Sequence, residues 1–396
     1  CPVCEEGGEC HLQDMTLMSG HNYRRYDKKK VTHRNQYLGP FINHEMNRCI
    51  TCYRCVRFYE YAGGKDLAAQ ASHHHTYFGR HQDGVLESEF SGNLVEVCPT
   101  GVFTDKAFSA QYARKWDLQT APSVCVGCSV GCNITPGERY GTLRRVVNRY
   151  NSEINGYFIC DRGRFGFDYV NSEDRLETPS IKKGSKMEAL MGKDLQEAMQ
   201  GYSGQEVIGI GSPRATNEAN YALRSFVGKE NFYSGMADNE SEASRLILDL
   251  LKDEAFHAPS IKEIEKADAV IVLGEDLTNT AARVALALRQ SVRNKAKELA
   301  ESINIPVWQD AAVKELAQHD RSPLILLSNY ATRLDDVASD SIIDSSEVLS
   351  QIGYAIAGEI SGSRVTCPFD ETSIALIAEK LTGAKNPLVI AGSSAD

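Results

Sequence analysis

Hydrophobic patterning is clearest in the second half of the chain. Apolar runs stand at Val207–Gly211, Ala269–Gly274, Leu324–Leu327 and Leu388–Gly392, with helical stretches at Asn217–Val227 and near Thr280–Leu299. Short runs without alternation suit strands buried on both faces, and strands separated by helices predict a parallel α/β sheet. The last stretch, from Asn386 to Asp396, reads as the start of a strand. The first 115 residues are different: turn formers and aromatics abound, and no long helical period is visible. That predicts a loop-heavy fold stapled by cofactors rather than by a thick core. Between the two regions, Leu143–Asn148 reads as a short strand. The expected architecture is α+β multidomain, divided at 1–115, 116–175 and 176–396, with loop-rich regions followed by a Rossmann-like parallel α/β domain.

Composition narrows the class. A length of 396 residues allows two to four domains, and 42% apolar with 24% charged residues is ordinary for a globular chain. No apolar run approaches 18 residues, so no membrane-spanning helix is expected. A net charge of −10 disfavours nucleic acid as the main partner. The sequence opens on Cys1, with no charged and then apolar leader, and reads as a piece of something longer.

The cysteines change the picture. Eleven of the twelve fall within the first 160 residues. Short C-x-x-C spacings hold thiolates on one turn, which in a chain without an export signal points to metal rather than disulfides. The first group is Cys1, Cys4 and Cys10; a fourth ligand comes from before Cys1 or from a residue such as His11, and zinc competes with iron–sulfur here. The second is Cys49, Cys52 and Cys55, followed by Cys98-Pro99. A C-x2-C-x2-C run with a remote C-P is the ligand spacing of ferredoxin-type four-iron clusters, whereas zinc sites use pairs. The third is Cys125, Cys128, Cys132 and Cys160, with Gly127 and Gly131 letting the backbone wrap closely. A four-iron cube fits it better than zinc. Cys367 has no partner in spacing and is expected to be a small buried hydrophobe.

Other features carry less. His73, His74 and His75 are adjacent and so point apart, as in a surface loop; Arg24, Arg25, Lys28, Lys29 and Lys30 suit a solvated loop or an acidic neighbour. Gly209-Ile-Gly211-Ser-Pro-Arg214 is an incomplete dinucleotide fingerprint, and no bound dinucleotide is expected there. The Asp161–Gly166 stretch places arginine and glycine where they can tune a cluster bound through Cys160.

The phrases CPVCEEGGECHLQD, NRCITCYRCVRF, SGNLVEVCPTGVFTDK, CVGCSVGCNI and CDRGRFGFDYVN resemble the G-subunit family of bacterial proton-pumping NADH:quinone oxidoreductase, respiratory complex I. Later phrases, VIGIGSPRATNEANYALR and ADAVIVLGEDLTNTAARVALALRQ, resemble the molybdopterin-oxidoreductase portion of that family. The resemblance implies three 4Fe–4S clusters. The first takes Cys1, Cys4 and Cys10 with a histidine four residues before Cys1, which argues against His11; the second takes Cys49, Cys52, Cys55 and Cys98; the third takes Cys125, Cys128, Cys132 and Cys160. It also implies a 2Fe–2S cluster further upstream and an α/β domain without molybdenum, and single-electron relay from NADH and flavin toward quinone. The partners would be other peripheral-arm subunits, at the cytoplasmic face of the bacterial inner membrane. A hydrogenase subunit or a molybdenum-dependent formate dehydrogenase is the alternative.

Overall fold

A computed structural model describes residues 2–111, 113–202, 205–363 and 365–392. The chain divides into two compact units, residues 1–167 with 259–396, and residues 168–258.

The larger unit contains a four-stranded sheet in the order Asp340–Ile343, Leu324–Ser328, Ala269–Leu273, Pro387–Ala391, every neighbour pair parallel. The two central strands, Ala269–Leu273 and Leu324–Ser328, are covered on both faces, which is why they read as unbroken apolar runs, whereas the edge strand Pro387–Ala391 leaves Val389 exposed. On one face Val270, Val272, Leu324 and Leu326 pack with Ala285 and Leu288 of the helix Ala282–Ser291. On the other, Ala269, Ile271, Ile325 and Leu327 pack with Ile352 and Ile356 of the helix Ser346–Ser361 and Ile377 of the helix Glu371–Thr382. The expected strands at 269–274, 324–327 and 388–392 all lie in this sheet.

Two expectations are corrected. The run Val207–Gly211 is a strand only at Gly209–Ile210, and it pairs with Phe232–Tyr233 in a separate two-stranded sheet of the smaller unit. Ile208 and Ile210 are exposed, so its apolar character does not come from a doubly covered sheet. The helix expected near Thr280–Leu299 is broken into Leu277–Thr280, Ala282–Ser291 and Asn294–Ser302. Ala281 leaves helical geometry at φ −150°, and the Thr280 hydroxyl donates to Glu275 Oε2 at 3.0 Å and to the Asp276 carbonyl at 3.1 Å. The helix Asn217–Val227 matches its expected bounds, opened by a Thr216 cap that accepts from the Ala219 N–H.

Before residue 168 the regular elements are short. A second apolar core joins Leu38, Phe58, Tyr59, Phe78, Phe90, Leu94 and Phe103 to Ala282 and Leu286 of the α/β region. The expected strand at Leu143–Asn148 is Thr142–Asn148, antiparallel to Asn133–Arg139. Among the described residues no helix is long and apolar enough to cross a membrane.

Candidate metal centres

The second cysteine group is built by two turns. The helix Arg54–Tyr61 carries Cys55 in its first turn and buries Cys55, Phe58 and Tyr59 at helical spacing. The short helix Leu94–Val97 ends at Cys98, whose N–H donates to the Leu94 carbonyl at 3.0 Å. Between Cys49 and Cys55 the backbone is left-handed at Thr51 (φ 56°) and Tyr53 (φ 61°), which costs non-glycine residues about 1 kcal/mol or more each. This winding aims the Thr51 N–H at Cys49 Sγ, 3.3 Å away. Cys49, Cys52, Cys55 and Cys98 line one small hollow, walled by Tyr53, Phe78, Val102 and Phe103.

The third group closes from three segments. Ser123–Val124 pairs with Asn133–Ile134, so that the Cys125 N–H donates to the Cys132 carbonyl at 2.8 Å. Cys160 arrives from the far side, tied to residues 89–93. The Asp161 N–H donates to the Glu89 carbonyl at 2.7 Å, and the Asn93 side-chain amide donates to the Ile159 carbonyl at 2.7 Å. Cys125, Cys128, Cys132 and Cys160 line a second hollow with Arg162, Gly163, Thr278 and Thr280. The Gly127 N–H donates to Cys125 Sγ at 3.4 Å, and a Cβ on Gly163 would stand 3.3 Å from the same sulfur.

Of the first group, Cys1 lies outside the described residues, while Cys4 and Cys10 are half-buried. Cys10 Sγ lies 3.6 Å from the Pro99 carbonyl oxygen, and a Cβ on Gly101 would stand 2.2 Å from Cys4 Sγ.

The surroundings of these thiols disfavour their ionised form. Burial, then the neighbouring Cys98, push the Cys55 thiol up to about 12; burial and Cys160 do the same to Cys132, about 12. Cys160 rises to about 11 through burial, and the thiols of Cys49 and Cys125 are also pushed up by burial. Each thiol resists ionising because the others stand close and water is scarce. A cationic centre reverses this by binding the thiolates and releasing protons. Among the described residues no three His, Cys, Asp or Glu side chains converge on one ion. Four sulfurs ringing a hollow, with backbone N–H groups turned to them, fit a cluster of several irons better than a single zinc at about 2.3 Å from each sulfur.

The sequence reading missed the polar frame. Asp161 is pushed up to about 7 by burial, against hydrogen bonds from Ser91 Oγ (2.6 Å) and the Gly92 N–H (2.7 Å). Arg164, 2% exposed, pairs with Glu96 at 2.8 Å and donates to Asn93 Oδ1 at 3.0 Å. Burial opposes the Glu96 charge, yet the Arg164 guanidinium holds its carboxyl below the usual range. The Arg-Gly-Arg stretch after Cys160 hinted at Arg162 and Arg164, but nothing in the sequence tied them to Glu96. His73–His75 form an exposed turn that, among the described residues, joins no metal-binding cluster, and Arg24–Lys30 are exposed. Cys367 is half-buried rather than buried, packed at the edge of the sheet core.

Comparisons with known proteins follow the same three groups. Residues 1–25 match the NADH-ubiquinone oxidoreductase-G iron-sulfur binding region. Residues 39–104 match the ferredoxin-like domain of NADH-quinone oxidoreductase subunit 3, and residues 118–172 the molybdopterin oxidoreductase Fe4S4 domain. Two G subunits of NADH-quinone oxidoreductase align along 100% of this chain: that of Pseudomonas fluorescens is 56% identical over 399 residues and that of Escherichia coli strain K12 is 53% identical over 405. In both cases this chain spans 44% of the relative's length. Among solved structures, acetylene hydratase from Pelobacter acetylenicus superposes on 69% of this chain and 40% of its own, with 13% identity and a TM-score of 0.44. An NAD+-reducing nickel–iron hydrogenase covers 27% of this chain and 47% of its own, with 27% identity and a TM-score of 0.24. Similar from end to end to these G subunits at more than half its positions, and matching their iron–sulfur region at its own first cysteines, the chain belongs to the G-subunit family of NADH-quinone oxidoreductase.

Proposed function

We propose that this chain is the relay portion of a proton-pumping NADH:quinone oxidoreductase, passing single electrons from NADH and flavin toward quinone through three 4Fe–4S clusters. The carrying observation is the pair of hollows ringed by Cys49, Cys52, Cys55 and Cys98, and by Cys125, Cys128, Cys132 and Cys160. Cys1, Cys4 and Cys10 would hold the remaining cluster with a histidine four residues before Cys1. The relatives' greater length leaves room for that histidine and for the 2Fe–2S cluster the resemblance implies.

Four-iron clusters, when bound, supply one-electron exchange with little rearrangement. The chain's part is placement and insulation. Thiolates of the three groups would hold the irons; the N–H groups of Thr51 and Gly127 donate to sulfur and so stabilise added negative charge. Phe78 and Phe103 keep water from the second group. Residues 1–115 and 116–175 would be the cluster-bearing regions. Residues 176–396 would form a Rossmann-like domain of molybdopterin-oxidoreductase type without molybdenum, a reading supported by the lack of any cysteine between 161 and 366. Partners would be the flavin-bearing and quinone-side subunits of a peripheral arm on the cytoplasmic face of the bacterial inner membrane.

The test is Cys52→Ala in the assembled enzyme. One four-iron paramagnetic signal disappears and NADH-to-quinone turnover is abolished, while NADH oxidation by an artificial acceptor partly survives. An unchanged quinone rate sinks the relay role of that centre.

A further inference from the structure

The first and second cysteine groups meet at one loop. Pro99, directly after Cys98, has its carbonyl beside Cys10 Sγ and accepts the Leu12 N–H at 3.2 Å. Two residues on, Gly101 leaves no space for a Cβ beside Cys4 Sγ. Arg48, the chain neighbour of Cys49, donates from Nη1 to the Gly101 carbonyl at 3.1 Å and from Nη2 to the Val3 carbonyl at 3.4 Å. One guanidinium, carried by the residue before Cys49, therefore ties the residue before Cys4 to the loop that follows Cys98.

We propose that Arg48 is a positioning residue shared by the two centres, clamping the Pro2–Cys4 loop to the Cys98–Gly101 loop and setting one positive charge beside both. The planar fork suits this task, because two donors at a fixed angle hold two carbonyls in register. A cation there stabilises the electron on either centre, so the two potentials move together. Arg114 provides the contrast. It donates to the Cys4 carbonyl at 2.7 Å and the Pro2 carbonyl at 2.5 Å, both on the first loop.

The inference rests on the relay reading above, and its test separates the two. In the assembled enzyme, redox titration followed by paramagnetic resonance gives both potentials, and iron content shows that the clusters are present. Arg48→Gln lowers the reduced-to-oxidised ratio of both centres at a given potential by between about threefold and tenfold. Tenfold corresponds to about 59 mV for one electron. Arg114→Gln moves the first centre alone. Arg48→Lys, which keeps the charge but not the fork, returns the reduced-to-oxidised ratio of both centres to within about twofold of native. If Arg48→Gln loses iron, the lysine variant decides: both signals return with near-native potentials, or the shared-cation role is refuted. Full iron with neither potential moved, or only one moved, overturns the proposal. Missing cluster signals in the unaltered enzyme overturn the relay reading instead.

Discussion

His44 shows how one buried side chain sets a pH limit. It is 4% exposed, stacked on Phe103 at 5.4 Å and edge-on to Tyr77 at 5.6 Å, and its Nδ1 accepts the Gln36 N–H at 3.1 Å. Burial lowers it from 6.5 to about 4, outweighing the Phe78 backbone and Glu45, which favour the cation. The folded state thus prefers neutral His44. Its stability is whole above pH 6.5 and is lost as pH falls toward 4, because only the unfolded chain takes up the proton readily. The full penalty is about 3 kcal/mol at about 1.4 kcal/mol per unit. Denaturant unfolding at a series of pH values should show this acid loss in the native protein and a shallower one in His44→Phe; identical profiles refute the assignment. At this scale the eleven cysteines were legible because thiols at fixed spacing are rare and chemically specific. The sulfur-facing N–H groups of Thr51 and Gly127 were not, because every residue but proline carries one and only backbone direction makes it a ligand partner.

Short elements here depend on their joints more than on their own propensity. Asn93 is fully buried; its amide donates to the Phe90 and Ile159 carbonyls, and its Oδ1 accepts from the Ile159 N–H and Arg164. Asn93→Ala leaves several of these groups unpaired, at a cost of about 3 kcal/mol. Because the joint holds the segment leading into Cys160, the third centre should lose its signal at a lower temperature than the second, read by paramagnetic resonance on warmed samples. Loss of both centres together would mean that Asn93 serves the whole core. Gly101→Ala tests another joint: the added methyl collides with Cys4 Sγ, so the first centre's signal and its share of iron should fall while the second centre's signal stays. Equal retention of both would show that the loop yields. Strands were readable wherever both faces are covered. The helix break at Ala281 was not, since it follows from side-chain bonds of Thr280 to Glu275 and Asp276 rather than from a breaker residue.

At the scale of the whole molecule, the cysteine-bearing region and the parallel sheet share one unit. Gln290 donates to the Tyr61 carbonyl at 3.1 Å, Lys65 pairs with Asp336 at 2.8 Å, and Ala282 and Leu286 enter the core beneath Cys55. Cys160 packs against that same core. Cys160→Ala should therefore cost less turnover per assembled enzyme than Cys52→Ala but a larger share of assembly, measured as complex yield against quinone rate. Full assembly without the third centre would count against its structural role. The sequence alone determined where the three cysteine groups stand, the central buried strands and the family, because spacing and uninterrupted apolar runs are local records of chemistry and burial. Tertiary structure alone decided that Gly209–Ile210 stands outside the main sheet, that Arg48 touches two loops, and that Glu96 finds Arg164. Such pairings join residues far apart in the chain. They are set by which surfaces meet on folding, for which local sequence carries no period and no spacing.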